Sequence, residues 1–330
     1  MTFLYLIVVL ALIFDFINGF HDSANSIANV VSTKVLSPLA AVAAAAFFNF
    51  IAFTVFPMRV AKMIGTGVVQ TDVININVIG AALVAAIIWN LVTWWLGLPS
   101  SSSHTIVGGL IGGAIASSGF GAVISGGVIL IVAFIFIAPL MGMVLSHGLS
   151  TIVMWIFRKV TPSTIDKVFR RLQLVSSSAL SLGHGGNDAQ KSMGIIWVAM
   201  LLSNLVTKDS EIPLWVKMSC QTAIALGTLF GGWRIVKTMG QKITKIKPFE
   251  GVCAETAGSI TLFIATHFGI PVSTTHTITG AIIGVGARRG VSAVRWGVTK
   301  KIFWAWILTI PVSGAIGGLM YFFFNFVHPL

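Results

Sequence analysis

Long apolar stretches recur along the whole chain, and they restrict its fold more than any other feature. A stretch of about 18 or more apolar residues has the length of a membrane-spanning helix. Such stretches lie roughly at 3–33, 38–57, 78–118, 122–157, 176–206, 212–232, 251–287 and 302–326. Only 9% of the 330 residues are charged, whereas soluble domains carry about a quarter. The sequence therefore predicts an all-α, polytopic membrane protein.

The basic residues lie in short loops between these stretches. A formal net charge of +12 can indicate a nucleic-acid partner, but short basic loops in a membrane protein indicate the cytoplasmic side. We therefore expect no nucleic-acid partner. Three loops carry five basic residues each: Arg158, Lys159, Lys167, Arg170 and Arg171; Arg234, Lys237, Lys242, Lys245 and Lys247; Arg288, Arg289, Arg295, Lys300 and Lys301. Counting spans from these loops predicts that both chain termini lie outside the cell membrane.

The chain also repeats itself. Three pairs of similar segments occur in the same order, at offsets of 166, 175 and 172 residues: 19–26 with 185–192, 59–65 with 234–240, and 98–109 with 270–281. Three matches in order indicate a duplication. The loop at Arg59 is predicted outside and its copy at Arg234 inside, so the two halves are expected to be inverted relative to each other. The predicted units are a first repeat at 1–120, a connecting span and cytoplasmic loop at 121–175, a second repeat at 176–290 and a last span at 291–330.

Glycine and proline residues interrupt several apolar stretches. The interruptions are at Gly19, Pro99, Gly183, Gly185, Gly186 and Pro271. They predict discontinuous helices and re-entrant hairpins, because irregular backbone in a membrane must line a cavity or be buried in protein. Inverted repeats with interrupted helices are typical of secondary transporters, whose substrate site lies near the midplane. A channel can share this feature.

Asp22, Asp188 and Glu255 are acidic residues that lie within apolar stretches. Each costs about 2.5–3.5 kcal/mol at the bilayer centre. An acid of this kind can be a paired structural residue, but Asp22 and Asp188 occupy equivalent places in the two halves. On a helix Asp22 shares a face with Asn25, and Asp188 with Lys191. The predicted cation site comprises Asp22, Asn25, Asn187 and Asp188, with Gln190 as a further amide ligand; Lys191 is predicted either to pair with Asp188 or to contact the substrate.

Two clusters of hydroxyl residues each open a new apolar helix. They follow Pro99 and Pro271 and comprise Ser101, Ser102, Ser103 and Thr105, and Ser273, Thr274, Thr275 and Thr277. Helix capping alone would explain either cluster. As a pair entering from opposite sides, the two helices would aim their N-terminal N–H groups and positive dipole ends at one point. This arrangement predicts an oxyanion site, to which His104 and His276 are candidate contributors.

Electrostatics then links the anion to the acids. An oxyanion would be repelled by two ionised aspartates in a medium of low dielectric constant. Cations must therefore enter with the anion, and the sequence predicts co-transport of Na⁺ or H⁺. The residues leave open which of the two it is.

These motifs resemble the inorganic phosphate transporter (PiT) family. Its duplicated signature is Gly-x-Asn-Asp-x-Ala-Asn, and this chain has GFHDSAN at 19–25 and GGNDAQK at 185–191. His21 replaces the Asn of the first copy, and Gln190 and Lys191 replace Ala-Asn in the second. The segments PSSSSHT and PVSTTHT, and AET at 254–256, are similar to family features. The resemblance implies a compact prokaryotic member that imports phosphate with Na⁺ or H⁺ by alternating access, as a homodimer in the lipid bilayer of the cell membrane, without an enzymatic cofactor.

Three other functions fit parts of the pattern. A sulfate permease of the same family would use the same motifs. An anion channel also uses paired half-helices, although buried acids argue against it. An intramembrane aspartyl protease would share a proton between two aspartates, but that function leaves the hydroxyl clusters without a role. We therefore predict a transporter rather than an enzyme.

Overall fold

Helices account for the regular structure of the chain. The computed structural model describes residues 2–207 and 209–327, with the backbone alone for Thr2 and Phe3. Within these ranges the α-helices are α1 (Thr2–Ser32), α2 (Pro38–Ile51), α3 (Arg59–Thr66), α4 (Ile76–Leu96), α5 (Ser102–Ser118), α6 (Ser125–Ile156), α7 (Pro162–Leu202), α8 (Leu214–Phe230), α9 (Trp233–Lys237), α10 (Pro248–Phe268), α11 (Thr274–Arg288) and α12 (Trp296–Val327). No strand occurs in the described part of the chain, and the predicted all-α class is confirmed.

Several helices have the length and apolarity of membrane spans. Among the described residues α1, α4, α6 and α12 meet this test, and the pair formed by 38–54 and α3, bent by 81°, raises the number to five. Helices α6 and α12 expose large apolar side chains, among them Ile129, Val144, Leu319 and Phe323. An extended apolar surface of this kind is suited to contact with lipid.

The predicted breaks at Pro99 and Pro271 are confirmed. Gly97 (φ +66°) ends α4 and Gly269 (φ +73°) ends α10, both in the left-handed conformation that favours glycine. After each proline a new helix begins, α5 with 17 residues and α11 with 15. At 1.5 Å per residue these helices are about 22–25 Å long, which is shorter than the hydrocarbon core of about 30 Å.

The breaks predicted at four glycines are wrong. α1 is continuous through Gly19, and α7 is continuous through Gly183, Gly185 and Gly186. These glycines instead permit close packing between helices. A Cβ at Gly19 would lie 2.2 Å from the carbonyl oxygen of Ile224, and one at Gly185 would lie 2.6 Å from that of Asn49. Glycine in a helix therefore marks a close contact here, and the backbone hydrogen bonds continue past it.

The helix contacts of the first six helices recur in the last six. α5 packs against α4 and α12, as α11 packs against α10 and α6. α1 packs against α8, as α7 packs against α2. Helices α6 and α12, which are equivalent in these contacts, each have 32 residues and an internal proline, Pro139 and Pro311 respectively. The packing thus joins each half of the chain to the other rather than forming two separate bundles.

Candidate functional site

The N-terminal ends of α5 and α11 lie next to each other in the interior. Ser101 caps α5 by accepting a hydrogen bond from the His104 N–H (3.2 Å), and Ser273 caps α11 by accepting one from the His276 N–H (3.1 Å). The Ser103 hydroxyl donates to the carbonyl oxygen of Val272 (3.1 Å), which precedes α11. The first N–H groups of both helices therefore point into one region, as the paired motifs predict.

Asp22, in the C-terminal half of α1, lies between the starts of α5 and α11, the two half-helices. Its Oδ2 accepts a hydrogen bond from the Ser102 hydroxyl (3.1 Å), and its Oδ1 accepts one from the Thr275 hydroxyl (3.3 Å). The neighbouring His21 Nδ1 lies 2.6 Å from Asp22 Oδ1. The other ring nitrogen of His21 contacts the Thr93 hydroxyl at 3.1 Å. One carboxylate thus connects α1 to α5 and α11.

Asp188, in the C-terminal half of α7, has a similar environment with one added charge. Its Oδ2 accepts a hydrogen bond from the Thr274 hydroxyl (3.2 Å) and lies 3.1 Å from His184 Nε2. Its Oδ1 forms an ion pair with the Lys191 ammonium, which also donates to the Ser103 hydroxyl. Asp188 and Lys191 are both fully buried. This carboxylate therefore already has a cationic partner within the protein.

Two of the contacts around the aspartates are equivalent under the repeat. Ser102 donates to Asp22 as Thr274 donates to Asp188. Asn25 donates to Thr275 (2.9 Å), while its counterpart Lys191 donates to Ser103 (2.5 Å). These two contacts of the first copy are therefore reproduced in the second, although the residue types differ.

Oxygen and nitrogen ligands suitable for a cation converge here. Atoms of Asp22, His184 and Asp188 lie within 4.8 Å of one another. Asn25 Oδ1 and Asn187 Oδ1 are buried and have no hydrogen-bond partner among the described residues. Buried carbonyl oxygens are rarely left without a partner, so these two are suited to a small cation. The serines and threonines at the helix starts are at most 3% exposed, so the cluster is closed to solvent in this conformation.

Some predicted site residues lie outside this cluster. Thr105 and Thr277 donate to carbonyl oxygens of their own helices, at Ser102 (2.7 Å) and Ser273 (2.9 Å). These bonds lead back to the preceding helical turn, so neither hydroxyl caps a helix or contacts the aspartates. His276 stacks on Trp306 with ring centroids 4.0 Å apart, and His104 lies 4.8 Å from His276.

Gln190 and Glu255 stabilise the surrounding helices. Gln190 Oε1 accepts hydrogen bonds from the N–H groups of Val60 (3.1 Å) and Ala61 (3.2 Å) at the start of α3. Glu255 accepts hydrogen bonds from Gln173 (3.0 Å) and Ser176 (2.5 Å). Neither side chain contacts the two aspartates through these bonds.

The sequence reasoning missed two buried polar residues. His184 contacts Asp188 from one helical turn earlier. Asp15 is fully buried and accepts a hydrogen bond from the Ser192 hydroxyl (2.6 Å). Asp15 and Asp22 are seven residues apart, and Asp188 and Ser192 are four apart, so each pair shares a helix face. His184 lies four residues before Asp188, and Asp15 lies seven before Asp22. A search for polar residues at these helical spacings from the two aspartates would have identified both His184 and Asp15.

The chain matches known transporters over nearly its full length. The model of the phosphate transporter family matches residues 18–164 and 157–317. Two relatives, each named "probable low-affinity inorganic phosphate transporter", are 55% identical in Rhizobium meliloti and 47% identical in Bacillus subtilis. The first alignment covers 96% of this chain and 95% of the relative, and the second covers 98% and 97%.

A solved structure has the same fold. The structure titled "The sodium-dependent phosphate transporter" superimposes with a TM-score of 0.89 and 25% sequence identity, covering 99% of this chain and all of the other. The similar proteins are transporters rather than enzymes, as predicted, and the resemblance read from the two signature copies is confirmed. With this family model and these identities, the chain belongs to the phosphate transporter family.

Proposed function

We propose that this protein imports inorganic phosphate together with a coupling cation, by alternating access. The observation that carries the proposal is the convergence of two aspartates and two helix N-termini in one buried cluster. Helix N-termini bind anions through unpaired N–H groups and the positive end of the dipole. Aspartates bind cations. Both ions therefore have ligands within the same few ångströms.

The anion ligands in this proposal are the side chains and N–H groups at the starts of α5 and α11. The hydroxyls concerned are those of Ser101, Ser102, Ser103, Ser273, Thr274 and Thr275. Phosphate near neutral pH keeps at least one proton, which it can donate to a carboxylate, whereas sulfate has none to donate. The neighbouring carboxylates therefore favour phosphate over sulfate. The names of the relatives agree with this choice.

The cation ligands are Asp22, Asn25, Asn187 and Asp188. The solved structure with the same fold is titled as sodium-dependent, which supports Na⁺ as the first candidate. H⁺ is the second, since an imidazole contacts each aspartate. The charge argument requires one of them, because Lys191 compensates Asp188 alone and phosphate beside the uncompensated Asp22 carboxylate would be repelled.

We propose two inverted units of six helices each, α1–α6 and α7–α12. The recurring helix contacts and the matched prolines of α6 and α12 support this division. This division places residues 121–156 in the first unit and residues 291–327 in the second. The sequence instead predicts a connecting span and loop at 121–175 and a last span at 291–330. Movement of one unit against the other would expose the cluster to each side in turn. The external termini and the homodimer remain predictions.

Transport by the purified protein tests this proposal. In liposomes, labelled phosphate uptake is measured with the sodium gradient and the pH gradient varied independently. We expect phosphate to accumulate above its external concentration when one gradient is directed inward. Unlabelled phosphate should compete more strongly than sulfate, and liposomes with Asp22→Asn protein are the matched control. Uptake that ignores both gradients would contradict the proposal.

A further inference from the structure

The two copies of the signature differ in charge at one equivalent position. Asn25 lies three residues after Asp22, and Lys191 lies three residues after Asp188. Each donates to the hydroxyl of an equivalent residue at the start of a half-helix, Thr275 for Asn25 and Ser103 for Lys191. The first copy therefore has a neutral amide where the second has an ammonium group.

The Lys191 ammonium has the contacts expected of a bound cation. It pairs with Asp188 Oδ1 and bonds to the Ser103 hydroxyl, and its side chain is fully buried. It is held three residues from Asp188 on a continuous helix, so it cannot leave the site with the substrate. A buried ammonium paired in this way compensates the carboxylate permanently.

Asp22 has no such partner among the described residues. It contacts the hydroxyls of Ser102 and Thr275 and the His21 ring, and a ring nitrogen of His184 lies within 4.8 Å. Asn25 donates through its amide nitrogen to Thr274 and Thr275, and its carbonyl oxygen is buried without a hydrogen-bond partner in the described chain. An unpartnered oxygen one helical turn from a carboxylate supplies a second ligand for a mobile cation.

We infer that Lys191 is a tethered cation that replaces one of two coupling cations, so that the mobile cation binds on the Asp22 side alone. The inference rests on the proposed function and specifies its stoichiometry. A chain with an amide at both positions would need a mobile cation at each aspartate. This chain needs one fewer, and each phosphate is accompanied by one positive charge fewer.

The test compares two reciprocal substitutions at the equivalent positions 25 and 191. Lys191→Asn gives the second copy the residue of the first, and Asn25→Lys gives the first copy the residue of the second. Labelled phosphate uptake into liposomes is measured at a clamped membrane potential, with Na⁺ varied at constant pH and with pH varied without Na⁺. The two series identify which cation drives the wild type. The readouts are the Hill coefficient for that cation and the charge moved per phosphate.

We expect Lys191→Asn to raise the Hill coefficient and the charge per phosphate by about one each. Asn25→Lys should lower both by about one, so that uptake becomes less dependent on the cation gradient. Unchanged values in either variant that transports would overturn the inference. If the wild type takes up no phosphate under either gradient, the proposed function itself fails, which is a distinct result.

A cation-binding measurement tests the inference even if a variant folds but does not transport phosphate. In detergent, Na⁺ and H⁺ are titrated separately, and the rise in melting temperature is recorded. Lys191→Asn should be stabilised by the driving cation with a steeper concentration dependence than the wild type, and Asn25→Lys with a shallower one. Identical curves for the wild type and both variants would overturn the inference without any measurement of uptake.

Discussion

The segments 19–26 and 185–192 place the same kinds of contact around their aspartates but carry different charges. Asp22 accepts hydrogen bonds from neutral hydroxyls, whereas Asp188 also pairs with Lys191. Both segments lie in the C-terminal half of a continuous helix and contact the start of a half-helix. Duplication has kept the positions of the side chains, while substitution has made the two sites chemically distinct. The difference teaches that equivalent geometry does not imply equivalent ion binding.

The largest expected effect is common to both copies. Asp22→Asn and Asp188→Asn should each reduce coupled phosphate uptake about 100-fold, because the first removes a charged ligand of the coupling cation and the second leaves the buried Lys191 ammonium unpaired beside the anion ligands. Uptake into liposomes, normalised to the amount of reconstituted protein, measures this loss. Normal transport by either variant would show that the substituted aspartate is not part of the ion-binding site.

Substitution of the two aspartates should reduce the stability of the protein by different amounts. Asp188→Asn leaves the buried Lys191 ammonium without its carboxylate, so the free energy of unfolding should fall by about 3 kcal/mol. Asp22→Asn leaves no lysine unpaired and should cost less. Melting temperatures in detergent report the difference.

The double variant Asp188→Asn with Lys191→Asn is the control for this comparison. It removes both charges and should recover much of the lost stability without recovering coupled uptake. Equal melting temperatures for the two single aspartate variants would contradict the asymmetry between the copies.

Equivalent glycines should give similar losses in both copies. Gly19→Ala would place a methyl group 2.2 Å from the Ile224 carbonyl oxygen, and Gly185→Ala would place one 2.6 Å from that of Asn49. Overpacking of this kind costs about 1–3 kcal/mol. Gly148→Ala, in α6 with no atom within 4 Å of the added methyl group, is the matched control. A melting temperature equal to that of the control would show that the helices can separate at that point.

The smallest expected effect concerns the hydroxyls. Ser102→Ala removes a donor to Asp22 and should raise the KM for phosphate about tenfold, since hydrogen bonds to charged groups contribute about 1.5–3 kcal/mol. Thr274→Val removes the equivalent donor to Asp188 and should raise KM less, because Lys191 and His184 remain beside that carboxylate. Initial uptake rates at varied phosphate measure both. Thr277→Val is the control, since its hydroxyl bonds to its own helix. A KM unchanged in both variants would limit these hydroxyls to structural roles.

The features predicted well from the sequence have local causes. A left-handed glycine, a proline and a capping serine in close succession end one helix and start the next, and these residues define the breaks at Pro99 and Pro271. The convergence of Asp22 and Asp188 followed from their equivalent places in a duplicated chain. Both conclusions needed no knowledge of which helices pack together.

The features that the sequence did not predict depend on tertiary neighbours. Whether Gly185 breaks a helix or accommodates another one depends on what approaches it, and here the approaching group is the Asn49 backbone. The contact of His184 with Asp188 requires the continuous helix that the predicted break would have removed. The similarity of α6 and α12 is carried by little beyond Pro139 and Pro311, so it emerges from their packing rather than from their sequences.

The most direct test of the central claim is the effect of the cation on phosphate affinity in the purified protein. Binding of labelled phosphate is measured in detergent with Na⁺ varied at constant pH, and then with pH varied without Na⁺. Anion and cation ligands within one buried cluster predict that one of the two cations lowers the Kd for phosphate at least about tenfold, and that phosphate tightens binding of that cation by the same factor. The effect should be lost in Asp22→Asn. A Kd for phosphate that is independent of both cations would contradict a shared site.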